Sequence, residues 1–177
     1  MKRSSFIFLL IALVVIGGEM SREYIRSKKA ERNKLNLDCC RVQLGAIYLD
    51  LKAYADHHGG KFPVKLSDLV REGYETQDIF VCPNSNDDYI APGTPAAKMA
   101  ADMDGPDRGS YEYYGGNLTE SSQPESVLIA ERPENHAPSG GHILYLNGKI
   151  VFLDTQNLQE VRGLLQHRKT PVSTTEP

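Results

Sequence analysis

Between residues 37 and 55 the apolar side chains fall at Leu37, Cys40, Leu44, Ile47, Tyr48, Leu51, Tyr54 and Ala55. Steps of three and four put them on one face of an α-helix. A helix with so long an apolar face must bury it, so the rest of the chain has to supply a partner layer. Residues 22–34, just upstream, are charged and contain neither Gly nor Pro, so they extend the helix as a solvated stretch. Gly59-Gly60 stops it in the manner of a C-cap. His57 and His58 stand in its last turn, where a cation is favourable by about 0.3–1 kcal/mol. Being adjacent, they point to different sides and cannot act as an i, i+4 ligand pair. Their expected role is structural.

At the N-terminus, Lys2 and Arg3 precede an apolar run at residues 6–16 that closes with Gly17-Gly18. A hydrocarbon core takes about 20 helical residues to cross. Residues 4–20 suffice if their flanks snorkel. The expected arrangement is a single-pass inner-membrane anchor with a cytoplasmic N-terminus and a periplasmic, or at least extracytoplasmic, remainder. A cleaved signal peptide is the alternative, although Ile16-Gly17-Gly18 makes a poor small-x-small site. The chain then divides into an anchor or signal segment at 1–21, a folded domain at 22–167 and a disordered tail at 168–177.

The cysteines are Cys39, Cys40 and Cys82. In an exported chain the expectation is one disulfide and one remaining thiol. Cys40 lies on the apolar stripe and Cys39 about 100° away from it, so Cys40 is the better partner for a buried bridge. Zinc-type spacing, C-x-x-C or interleaved His, is absent.

Further along, "FPVKLSDLVREGY" reads as a turn and a short helix with Leu66, Leu69 and Val70 inward. "DIFVCP", "GSYEYYGGN" and "SVLIAE" read as strands, and residues 84–109, without apolar period, as a long loop. Asn147-Gly148 between the alternating runs 142–146 and 149–153 predicts a two-residue type I′ hairpin. Asp154-Thr155 can cap a last helix at 156–166 with Leu158, Val161, Leu164 and Leu165 inward. The expected class is α+β: a long N-terminal helix, part membrane and part amphipathic, the latter packed on a small antiparallel sheet.

A formal charge of −3 with no basic patch argues against nucleic-acid binding. Asp102, Asp104 and Asp107 around Gly105 offer hard oxygen ligands suited to calcium, although the order is not that of an EF-hand; a solvated acidic loop is the plain alternative. No other cofactor is implied. There is no G-x-S-x-G and no phosphate-binding glycine loop, and Glu131 and Glu134 straddle Pro133 without a visible partner. The chain is not expected to be an enzyme. His136 and His142 flank "APSGG", as transition-metal ligands or, more ordinarily, as donors to a loop backbone.

The order of these features resembles the type IV pilin-like proteins, and within them the bacterial pseudopilin-like group carrying an H-x9-D-G element near the C-terminus. The match runs from "CRVQLGAIYLDLKAYADHHGGKFP" through Cys82-Pro83 and "SYEYYGGN" to "HAPSGGHILYLNGKIVFL", covering residues 40–153 in order. The resemblance implies a pilin-like domain, pairing of Cys40 with Cys82, a helix packing face at Leu37, Leu44, Ile47, Tyr48, Leu51 and Tyr54, and a hairpin head at Asn147 and Gly148. It also implies other pilin-like subunits or secretion-system components as partners. Departures are visible. Ser5 and Leu10 stand where pilins carry the cleavage-site Gly and the pairing Glu, and Asn147 replaces the Asp of the hairpin. Two functions follow. One is a membrane-anchored extracytoplasmic structural or assembly component linked to a type II secretion or pilus-like system. The other is a monomeric periplasmic binding or sensing domain without a fibre role. The helix layout favours the first and the missing Glu the second.

Overall fold

The computed structural model describes residues 3–74, 77–85, 94–104 and 109–169, and the side chains of 21–74, 79–85, 94–104 and 109–166 among them. Asp107 and most of the 168–177 tail lie outside the described residues. The chain divides into two units, Met1–Leu35 and Asn36–Pro177. Helix α1 (Arg3–His57) contributes to both.

In the first unit the described side chains, from residue 21 on, are almost all exposed, and Lys28 pairs with Glu31 at 3.0 Å. The side chains of residues 4–20 lie outside those described. Among the described residues no helix is long and apolar enough to cross a membrane.

In the second unit the predicted stripe is the buried face of α1: Cys40, Leu44, Ile47, Leu51 and Ala55 are all 0% exposed. Leu37, Tyr48 and Tyr54 are half-buried on the same side. The helix ends where Gly59 and Gly60 take φ of 64° and 80°, the Gly60 N–H donating back to the Ala55 carbonyl at 2.8 Å. Short α2 (Ser67–Arg71) then buries Leu66, Leu69 and Val70 as expected.

Four strands follow in sequence order as an antiparallel sheet: β1 (Tyr111–Tyr113), β2 (Val127–Glu131), β3 (Gly141–Tyr145) and β4 (Ile150–Leu153). One face carries Ile129, Leu144 and Leu146 into the core shared with the α1 stripe. The other carries Ala130 and Ile143 against Leu158 of α4 (Thr155–Lys169). The two central strands are therefore covered on both sides, which is why "VLIA" and "HILYL" are nearly continuous apolar runs. The mixed helix-and-sheet class expected from the sequence is what the chain adopts.

Several local expectations give way. "DIFVCP" is not a strand; a 3₁₀ turn spans Gln77–Phe80. Its backbone bonds go to scattered partners rather than to a ladder: Ser110 N–H donates to the Phe80 carbonyl at 3.3 Å, and Cys82 N–H donates to Ser110 Oγ at 2.7 Å. Pro83 has no N–H to continue. The expected loop at 84–109 contains α3 (Ala96–Met103), in which strong helix formers follow Pro95 and Ala100, Met99 and Met103 reach the core. The hairpin turn holds three residues rather than two, with Gly148 N–H bonding the Tyr145 carbonyl and Tyr145 N–H the Lys149 carbonyl, both at 2.9 Å. Leu146 and Asn147 donate to the Ser126 and Pro124 carbonyls at 2.8 and 3.1 Å, so docking of the turn overrides the isolated Asn-Gly preference. In α4, Leu164 is 69% exposed instead of inward, because Leu158 already fills the space under the helix.

Candidate functional site

The site begins where two periodicities meet. Cys40 is the first fully buried residue of the α1 stripe, whereas its neighbour Cys39 is exposed. Cys82 arrives beside it from the 3₁₀ turn, positioned by the Ser110 hydroxyl and by Gln43 Nε2, which donates to the Val81 carbonyl at 3.1 Å. The sulfurs are 3.2 Å apart and carried by free thiols, against about 2.05 Å for a disulfide bond. The two cysteines that the resemblance pairs are thus adjacent, with no S–S bond between them in this structure.

A second 3₁₀ turn, Pro133–His136, brings in the third member. His136 is 3% exposed, and its Nε2 lies 3.2 Å from Cys82 Sγ and 3.3 Å from Cys40 Sγ. Asn135, beside it, donates to the Ser110 carbonyl at 2.8 Å, so the same serine residue anchors both turns. The Asn84 side chain bridges them by donating to the Asn135 carbonyl at 2.8 Å, and the Asn84 N–H donates to Cys82 Sγ at 3.4 Å.

Glu131 closes the group. In register, it would pair with His142 of β3 as the next ladder step after Ala130–Ile143. Instead its carboxylate takes over: Oε2 accepts the His142 backbone N–H at 2.7 Å and faces His142 Nδ1 at 3.1 Å. Gly141 leaves the room, because a Cβ there would come within 3.0 Å of the Glu131 side chain. The other oxygen, Oε1, lies 3.7 Å from His136 Nε2 and accepts no hydrogen bond, although the residue is fully buried. His136 Nδ1 is also buried without a partner.

The electrostatics follow from this contact order. The Cys40 S–H donates to Cys82 Sγ, which draws the Cys82 thiol below its usual range in spite of burial; His136 and the Asn84 N–H add to the effect. The same bond, together with burial and the Glu131 charge, holds Cys40 protonated. Burial opposes charge on His136, but Cys82 and Glu131 outweigh it and raise the imidazole to about 9. Burial likewise opposes the Glu131 carboxylate, and the two histidines outweigh it. These pulls favour a proton on Cys40 and His136 over one on Cys82 and Glu131. With Cys40 and Cys82 at 0 and 1% exposure, the sulfur pair has no open face for a substrate.

The other singled-out residues lie elsewhere. Asp104 Oδ1 accepts from Ser67 at 2.6 Å, its Oδ2 pairs with Arg71, and Lys65 is 3.4 Å away, so this carboxylate is already neutralised. Asp102 is in the last turn of α3, and Asp107 is outside the described residues. Among the described residues, the donors gathered closely enough for a metal are Cys40, Cys82 and His136. His57 and His58 cap helix-end contacts, with Tyr74 OH and the Tyr54 carbonyl, both at 2.7 Å. His142 bonds a carboxylate rather than a loop backbone. Sequence reasoning singled out both cysteines, paired through the resemblance, and His136, but not the convergence of the histidine on them, since 54 and 96 positions separate it from Cys82 and Cys40. Comparison of the chain with protein-family models, curated proteins and solved structures finds no match.

Proposed function

We propose that the chain is a membrane-anchored, extracytoplasmic, pseudopilin-like structural or assembly component linked to a type II secretion or pilus-like system, and that it performs no catalysis. The observation that carries this reading is the use of α1. Residues 40–55 of that helix lay a continuous apolar face on an antiparallel meander. The pilin-like order of helix, Gly-Lys-Phe-Pro, Cys-Pro and terminal hairpin recurs along the same residues. In this reading residues 4–20 lie in the inner membrane, the N-terminus is cytoplasmic, and the exposed helix surface meets other pilin-like subunits or secretion-system components.

Ser5 and Leu10, in place of the pilin Gly and Glu, support the second reading, a monomeric periplasmic binding or sensing domain of the same fold. Cell fractionation of the full chain, with intact-mass analysis and crosslinking in the membrane fraction, separates the two. An unprocessed, membrane-bound chain that crosslinks to like subunits or secretion components supports the assembly role. An anchored chain that stays monomeric supports the second, and a soluble product shortened near Gly18 overturns the anchor itself.

A further inference from the structure

We propose that Cys40, Cys82 and His136 form a structural site for a zinc-class divalent cation that staples α1 to the two turns beside the sheet. This inference stands independently of the secretion reading.

Three soft or borderline donors occupy the corners of a nearly equilateral triangle with edges of 3.2, 3.2 and 3.3 Å. Tetrahedral zinc, at about 2.3 Å from sulfur and about 2.0 Å from nitrogen, sets such donors about 3.5–3.8 Å apart. The donors therefore need to part by about half an ångström or less, within reach of small side-chain rotations. Glu131 is not gathered with these three donors, but its Oε1 is fully buried without a hydrogen bond 3.7 Å from His136 Nε2, so a turn of its side chain or a water would fill the fourth position. A buried carboxylate oxygen left without a donor is costly, and a cation would remove that cost.

The surroundings already orient these ligands. Glu131 Oε2 is fixed by two contacts from His142, and Cys82 Sγ receives the Asn84 N–H. Two sulfurs with one imidazole suit zinc rather than the hard cations considered for the acidic loop. For a small sheet with a short β1, a cross-link joining segments up to 96 positions apart supplies the kind of staple that small folds use.

The test uses the full chain, purified in detergent without added reductant or chelator. Expected are about one zinc per chain by elemental analysis, unmodified thiol mass, and a tetrahedral cobalt(II) spectrum with thiolate charge transfer after exchange. C82S and H136Q should lose the metal, while C39S keeps it. E131Q should weaken zinc binding about 10- to 100-fold. Because a misfolded variant would lose the metal as well, chelation of the wild-type chain is read separately, and its melting temperature should fall and recover on adding zinc. A Cys40–Cys82 disulfide in the isolated protein, a reduced chain that takes up neither zinc nor cobalt, or metal loss in C39S would overturn the proposal.

Discussion

The ring of Tyr48, on α1, lies directly against Gly148, in the turn between β3 and β4. A Cβ built on Gly148 would come within 2.8 Å of Tyr48 Cε1, and Tyr48 OH donates to the Leu146 carbonyl at 3.2 Å. Gly148 also holds a φ of +80°, where other residues are strained. Gly148→Ala thus meets two penalties at one position and is expected to cost about 1–3 kcal/mol. Tyr48→Phe, which removes only the hydroxyl, is expected to cost about 0.5–1.5 kcal/mol. Urea unfolding of both checks this. A neutral Gly148→Ala would mean that the turn is not held against the helix.

The helix face yields a second prediction through contrast. Leu51 is 0% exposed and belongs to the main core, while Leu49, two positions earlier, is 68% exposed. Leu51→Ala should cost about 2–5 kcal/mol, combining lost burial with the cavity left behind. Leu49→Ala should stay within about 0.5 kcal/mol. Comparable losses at the two positions would refute the assignment of the buried stripe.

These contrasts show which parts of the molecule the sequence could disclose. The stripe from Leu37 to Ala55 was legible because one element with one period faces one core, and the strands because β2 and β3 are buried on both faces. α3 was not, because Ala96–Met103 relies on the propensity of alanine between polar, glycine-containing neighbours rather than on a long apolar face. The three-residue turn was hidden because Ser126 and Pro124, some twenty positions away, choose it over the local Asn-Gly preference. The site was half visible. Cys40 announced itself by lying on the stripe, but the role of Glu131 depends on the β2–β3 ladder ending one step early, and no local pattern encodes that.

Two glycines invite the opposite change. Gly45 in α1 and Gly163 in α4 are helical, and a Cβ at either would meet nothing within 4 Å. Alanine restricts the unfolded chain and favours the helix, so Gly45→Ala and Gly163→Ala should each stabilise by about 0.5–1 kcal/mol. Thermal melts of the single and double variants test this. The sites are far apart in the fold, so the gains should add. A loss at Gly45 would indicate that another surface packs closely there.

The pair formed by Glu112 of β1 and Arg162 of α4 predicts how stability responds to acid. Arg162 Nε donates to Glu112 Oε2 at 2.8 Å, a second guanidinium N–H reaches Oε1, and Tyr114 OH donates to Oε2 at 2.6 Å. Burial opposes the charge on Glu112, but Arg162 and Tyr114 outweigh it and hold the carboxyl below its ordinary range. A carboxyl depressed by folding is ionised in the folded chain at a pH where the unfolded chain has begun to take up its proton. Its stabilisation is therefore complete above the unfolded value, near pH 4.3, and disappears as pH falls through the folded value. Glu112→Gln should cost about 1–2 kcal/mol at neutral pH. That deficit should shrink steadily below about pH 4 as the wild-type carboxylate protonates. Urea titrations of the two proteins across this range provide the check, and a deficit that stayed constant down to strong acid would show that the charge on Glu112 contributes nothing to holding α4 against the sheet.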